Sequence, residues 1–394
     1  MKALRLQSDR VGQIPPYMFA ELNKKKAALS ARGVDVIDLG VGDPDLPTPA
    51  HVLDKMREEL SKMENSRYPS YVGCTEFREA VAAYYAQNYG VTLDPDREVL
   101  ALIGSKEGIA NLIYAQVDPG DYALVPDPGY PVYRMATLLA NGRYHSLPLR
   151  AAEGFLPNYE EIPPEVLAQA RILFVNYPNN PTAAVADEAF YARTVNFARA
   201  ENIVVANDFA YNEIAFNEYK PPSIMQIPGA KDVAVELGSL SKTFSMTGWR
   251  IGYIVGNREV IKAVATIKSN VDSGQYTAIQ RTAATALTGP RDFLAHNLRV
   301  YETRQQTVLE GLKALGIDVS PPRASFFVWA PLPAGAISSA DFAEKLLTET
   351  GVVVTPGAAF GPHGEGYFRL SLSLATERLE EAMQRIQSLA ARTR

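Results

Sequence analysis

One cysteine, Cys74, and four histidines, His51, His145, His296 and His363, are all that 394 residues contain of the side chains on which disulfides and many metal sites depend. A lone thiol closes no intrachain disulfide, and the histidines are too scattered for zinc-ligand spacing. Neither a structural zinc nor a histidine-based catalytic triad is expected. Long apolar runs are missing too: no window reaches the roughly 18 apolar residues of a membrane span. The polar, charged opening lacks the apolar core of a signal peptide. Nor is there a basic excess, since 39 Lys and Arg stand against 44 Asp and Glu, a net charge of −5. Both signs are interspersed, with Lys24, Lys25 and Lys26 as the longest like-charged run, so nucleic acid meets no basic face. The expectation is a cytoplasmic protein without nucleic-acid or membrane partners.

What is present is ordinary for a globular protein, with 47% hydrophobic and 21% charged residues over a length sufficient for two domains. Short apolar runs at 36–39, 99–103, 122–125, 171–175, 203–206, 233–237 and 251–255 read as buried strands, most followed by a loop and a helical pattern. Helices are expected at 18–32, 49–63, 75–89, 109–116, 187–200, 258–270 and 275–287, with Thr75 available as a cap. Continuous apolar strands alternating with helices indicate an α/β fold with a mainly parallel sheet flanked by helices. In such sheets ligands bind at the carboxyl ends of the strands, where this chain places Gly104, Ser105 and Lys106, then Asn180, then Asp208 and Tyr211. A Gly-Ser loop opening a helix offers backbone N–H groups to a phosphate, although the Walker spacing is absent. After a long polar-faced helix at 291–315, strands at 326–329, 352–354 and 367–371 with helices at 340–349 and 376–391 describe a smaller α+β domain.

Residues 239–252 hold one lysine, Lys242, among serines and threonines, with Gly248 and Arg250 following, in what reads as a loop between two buried strands. Such a loop is either a surface turn or the site of an amine held for covalent chemistry beside an arginine that grips an anion.

Ser239-Leu240-Ser241-Lys242 followed by Gly248-Trp249-Arg250, with Asn180-Pro181-Thr182 and Asp208-Phe209-Ala210-Tyr211 upstream, resembles the fold type I pyridoxal 5′-phosphate enzymes of the class I/II aminotransferase family. The likeness runs from Asp38 to Arg369. It implies that Lys242 links to the cofactor aldehyde and moves the substrate proton, its pKa lowered by desolvation and nearby positive charge. It also implies that Asp208 keeps the pyridine nitrogen protonated, that Tyr211 and Asn180 bond the ring oxygen, and that Tyr130 stacks on the ring. Ser105, Lys106 through its backbone, Ser239 and Arg250 match the phosphate cup. Arg369 matches the fork that takes the substrate carboxylate, with Gly42 and Asn180 beside it and Tyr17 closing over them. Tyr68 matches the tyrosine that reaches a neighbouring subunit's cofactor, which implies a homodimer with shared sites.

The wording of 104–109, 221–230 and 271–280 is most similar to bacterial LL-diaminopimelate aminotransferases, with alanine and aspartate aminotransferases as alternatives. Two departures stand out. Val72, read as a buried valine, replaces the acidic residue suited to a distal ammonium, and Ala183 follows Asn-Pro-Thr where glycine is usual, which reads as neutral. The same cofactor cup serves lyases and synthases on amino acids, and a ligand-sensing module is a further class. The resemblance implies an N-terminal arm and part of the small domain at 1–45, a large cofactor domain at 46–288 and a small domain at 289–394.

Overall fold

The computed structural model describes residues 4–14 and 18–392. In chain order these form strands β1 (Ile37–Asp38), β2 (Val99–Leu102), β3 (Tyr122–Asp127), β4 (Arg143–Pro148), β5 (Ala170–Val175), β6 (Val204–Asp208), β7 (Ala234–Ser239), β8 (Gly252–Gly256), β9 (Phe327–Pro331), β10 (Val352–Val353), β11 (Thr355–Pro356) and β12 (Tyr367–Ser371).

Seven of them make one sheet in the order β2-β8-β7-β6-β5-β3-β4. Every pairing in it is parallel except the two made by β8. The apolar runs are continuous because both faces are covered. Val99 and Ala101 pack with the helices Thr75–Tyr89 and Thr277–Thr288, while Leu100 and Leu102 pack on the opposite face with Ser105–Gln116 and Arg258–Val271. Parallel strands deliver the ends of β3, β5, β6 and β7 to one edge. Since β8 runs the other way, its first residue meets the last of β7 there, Gly252 opposite Ser239.

The smaller sheet, β11-β12-β9, is antiparallel. Its core gathers Phe326, Val328, Phe368 and Leu370 with Leu346, Leu379 and Met383 from the helices Ser339–Thr350 and Thr376–Arg392. The helix Asp292–Ala314 adds Tyr301, Val308 and Leu312. β1 pairs in parallel with β10, which fastens an early piece of chain to this late unit. Tyr211 and Ile214, just after β6, also pack into this second core, so the segment leaving the sheet edge is held between the two.

Several local expectations are corrected. The helix after β2 begins at Ser105 rather than 109, so Ser105 and Lys106 lie in its first turn. Lys242 sits on a single helical turn, Leu240–Thr243, rather than in an irregular loop. Thr75 is the first helical residue and not a cap; Cys74 is the N-cap and makes no side-chain capping bond. The edge strand β4, Arg-Tyr-His-Ser-Leu-Pro, is too polar to read as a buried strand, and only its pairing with β3 shows it. Ala183, read as a neutral replacement, has a φ of 58°, in the left-handed region that favours glycine.

Candidate active site

The strand ends open on a cleft of about 390 Å³ whose walls include Gly42, Ser105, Tyr130, Asn180, Asp208, Tyr211, Lys242 and Arg369. Residues spread over the whole chain are thus brought to one place by the sheet edge and the adjoining small sheet.

Asp208 ends β6 and is 5% exposed. Tyr133 donates its hydroxyl to Oδ2 at 2.8 Å, and Asn176 Nδ2 donates to the Asp208 carbonyl at 2.6 Å. Oδ1 is buried with no hydrogen-bond partner. Burial pushes the carboxyl up to about 6, against the opposing pulls of the Tyr133 hydroxyl and the Ala210 backbone N–H. A buried carboxylate oxygen without a donor is costly unless a ligand supplies one, and a protonated pyridine nitrogen is such a donor.

Lys242 Nζ donates to the Gly42 carbonyl at 2.6 Å and lies 5.8 Å from the Phe326 ring centre. Burial lowers its pKa to about 8; Asp43 opposes the shift, and Arg369 and Arg250 add to it. An amine so placed is partly neutral near physiological pH, as a lysine nucleophile or base requires.

Arg369, in β12, is 3% exposed, and its guanidinium lies 4.1 Å from the Phe327 ring centre and 4.7 Å from that of Phe360. Nη1 donates to Asn180 Oδ1 and Nη2 to the Gly40 carbonyl, both at 2.6 Å. Asn180 is fixed in turn by Asn176, whose Oδ1 accepts its backbone N–H at 2.9 Å. Tyr211 is buried edge-on against Phe326 and Phe327, and burial raises its hydroxyl pKa well above the usual value, with Arg369 pulling it down. Tyr130 stands edge-on to Tyr133 at the cleft wall.

The opposite end is built for an anion. The first N–H groups of the helix Ser105–Gln116 have no intrahelical acceptors and carry the positive end of its dipole. Gly104, at φ 78°, lets Arg250 lie against that turn: a Cβ there would fall 2.3 Å from Arg250 Nη2. Gly252 also packs tightly, with a Cβ 2.7 Å from the Gly238 carbonyl oxygen and 3.1 Å from the Ser105 nitrogen. Ser239 Oγ accepts from the Ser241 N–H at 3.2 Å, capping the lysine turn. Lys106, Ser239 and Arg250 do not line the cleft itself but adjoin Ser105, Lys242 and Gly104.

One expected residue is not brought in: Tyr68 is 90% exposed and away from the cleft of its own chain. Tyr17 lies outside the described residues. Val72 is 38% exposed in the single chain and lines no part of that chain's own cleft, lying on the same loop as Tyr68. The sequence reading missed Tyr133, Asn176, Phe327 and Phe360. Tyr133 follows Tyr130 at helical spacing, and Asn176 opens the loop that holds Asn180; those were the available signals. Phe327 and Phe360 look like core residues in sequence, and only the position of the small sheet brings them to the cleft wall.

The family model for class I and II aminotransferases matches residues 34–386. An LL-diaminopimelate aminotransferase from Moorella thermoacetica is 51% identical, the alignment covering 97% of each chain. That of Aquifex aeolicus is 48% identical over 97% of this chain and 98% of its own. Among solved structures, substrate-bound BacF from Bacillus subtilis superposes with a TM-score of 0.95 at 38% identity, covering 98% of both chains. A mutant of Thermus thermophilus aspartate aminotransferase does so at 0.92 and 31%, covering 98% of this chain and 100% of that one.

Proposed function

The chain belongs to the class I and II aminotransferases, which depend on pyridoxal 5′-phosphate, and on that premise we propose that this cleft binds the cofactor and that Lys242 carries the proton transfer. The observation that carries the reading is the buried, unpartnered Oδ1 of Asp208 in the same cleft as a lysine of lowered pKa. When bound, the cofactor supplies an aldehyde for the amino group and a protonated ring that takes up the charge left at the substrate Cα.

The chain's residues do the rest. Asp208 accepts the ring N–H, and the positive charge offsets its burial. Lys242 moves the proton at the substrate Cα. Asn180 and Tyr211 donate to the ring oxygen, and Tyr130 covers the ring face. Ser105, Lys106 through its N–H, Ser239 and Arg250 hold the phosphate. Arg369 clasps the α-carboxylate with the Gly42 N–H and Asn180 beside it.

The substrates are an L-amino acid and a 2-oxo acid, with 2-oxoglutarate and glutamate as one pair. The names of relatives at 46–51% identity over nearly full length support LL-diaminopimelate as the donor. One observation favours a second reading: among the described residues of the single chain Asp208 is the sole acidic residue lining the cleft, and Tyr130, Phe327 and Phe360 give it a neutral wall suited to alanine or another uncharged donor. Leu60, Met63, Tyr68, Tyr71 and Val271 are exposed apolar residues, which supports a homodimer that covers them and brings Tyr68 to the partner's cofactor. The division into an arm and part of the small domain at 1–45, a large domain at 46–288 and a small domain at 289–394 belongs to the same reading, as does a cytoplasmic location.

The test is glutamate formation from 2-oxoglutarate with LL-diaminopimelate, L-alanine and L-aspartate as competing donors. Preference for LL-diaminopimelate supports the first reading and preference for alanine the second. Consumption of a donor without glutamate would overturn both in favour of a lyase or synthase.

A further inference from the structure

The segment 271–280 is among the stretches most typical of the family in sequence, yet none of it lines the cleft. We propose that Gln275 is a positioning residue that holds Arg250 in the conformation that grips the cofactor phosphate. The inference rests on the cofactor reading above and adds a residue to it.

Arg250 has φ 54°, a left-handed conformation unfavourable for any residue with a Cβ, and it is exposed. Something outside the turn must fix it. Gln275 Nε2 donates to the carbonyl of Trp249 at 2.9 Å and also to that of Arg250, so one amide spans the two peptide groups that define the unusual φ. Arg250 then points its guanidinium at Gly104 and the start of the helix Ser105–Gln116, with Nη1 donating to the Thr247 carbonyl at 2.7 Å.

Gln275 is itself anchored from both sides. Gln280, fully buried, donates Nε2 to the Gln275 carbonyl and accepts the Cys74 N–H on Oε1 at 2.6 Å. On the other side Asp272 accepts the Gly274 N–H at 2.7 Å and pairs at 2.9 Å with Lys268, which is 1% exposed. Lys268 also reaches Glu107 at 3.3 Å, in the first turn of the helix that faces the phosphate. A single loop thus ties together the two halves of the anion grip, the helix start and Arg250. Removing the amide leaves both halves present but frees Arg250 to leave its left-handed state, so the loss falls on the phosphate contact and not on the ring pocket.

The test titrates the apoprotein with pyridoxal 5′-phosphate and with pyridoxal, which lacks the phosphate. Gln275→Ala and Gln275→Met, which removes the donor and nearly keeps the size without adding a charge, are expected to weaken binding of the phosphorylated form roughly tenfold. Pyridoxal affinity and the melting temperature should stay within error of wild type. In an Arg250→Ala background, Gln275→Ala should add nothing. Equal weakening of both ligands, or an undiminished effect of Gln275→Ala once Arg250 is gone, would overturn the proposal. Wild-type protein that fails to prefer the phosphorylated ligand would overturn the cofactor reading, and this proposal with it.

Discussion

Tyr133 donates its hydroxyl to Oδ2 of Asp208 across 2.8 Å, while Oδ1 of the same carboxylate stays buried and unpartnered. The pair holds the carboxylate in one orientation and keeps one oxygen in reserve, at a cost to the cofactor-free protein that ligand binding removes. Burial raises this carboxyl to about 6, so the folded state holds a proton that the unfolded state has released between about pH 4 and 6. Stability is therefore fully present below the ordinary aspartate value and falls as pH rises through that window, by an amount on the order of 3 kcal/mol at most.

Asp208→Asn removes the buried charge. The cofactor-free variant is expected to melt at or above the wild-type temperature at pH 8, where the wild-type carboxylate is ionised. Amino transfer should nevertheless fall roughly a hundredfold or more, since an amide does not hold the ring nitrogen protonated. Calorimetry paired with the glutamate assay checks this. A clearly lower melting temperature with activity retained would contradict it.

Lys242 carries a lysine shift in the opposite sense to an ion pair: burial lowers its pKa to about 8. Between about pH 8 and the ordinary lysine value the folded state binds fewer protons than the unfolded one, so cofactor-free stability rises with pH across that window. The rate at which the apoprotein captures the cofactor aldehyde should climb with a midpoint near pH 8, because only the neutral amine attacks. Asp43 opposes the shift, so Asp43→Asn should move the midpoint lower still. Stopped-flow absorbance over pH 6.5 to 10.5 reads it, and a midpoint near the ordinary lysine value would refute the burial argument.

Ala183 occupies a left-handed backbone position, φ 58°, at 6% exposure, and its N–H donates to the Asn179 carbonyl at 2.9 Å. Replacement by glycine should leave stability within about 1 kcal/mol, relief of the backbone offsetting the lost methyl and the added unfolded-state freedom. Valine, branched at Cβ, should destabilise by about 2 kcal/mol or more. Denaturant unfolding distinguishes them, and a valine variant as stable as wild type would show that the turn adopts another conformation.

Much of the fold was legible because buried parallel strands write themselves as apolar runs: 99–103, 171–175 and 233–237 fall on β2, β5 and β7. β4 was not, since a polar edge strand lacks that signal and depends on pairing with β3. At the site, Lys242, Asp208, Asn180 and Arg369 could be picked out through the family motifs, and the fold brings all four to one cleft. The residues that orient them could not. Tyr133, Asn176 and Gln275 act through contacts at long sequence separation, and each alone has the appearance of a core tyrosine, a loop amide or a helix-start glutamine.

The central claim is that this chain transfers an amino group through Lys242, and it is tested most directly by a half-reaction. Wild-type protein and Lys242→Ala, each loaded with pyridoxal 5′-phosphate, are mixed with L-glutamate or LL-diaminopimelate while the cofactor absorbance is followed, and 2-oxoglutarate is then added. Wild type should convert the aldehyde form to the amino form and return on addition of the oxo acid. Lys242→Ala should keep its cofactor but convert roughly a thousandfold more slowly. Failure of every donor to produce the amino form in wild type, or near-normal conversion by Lys242→Ala, would contradict the account.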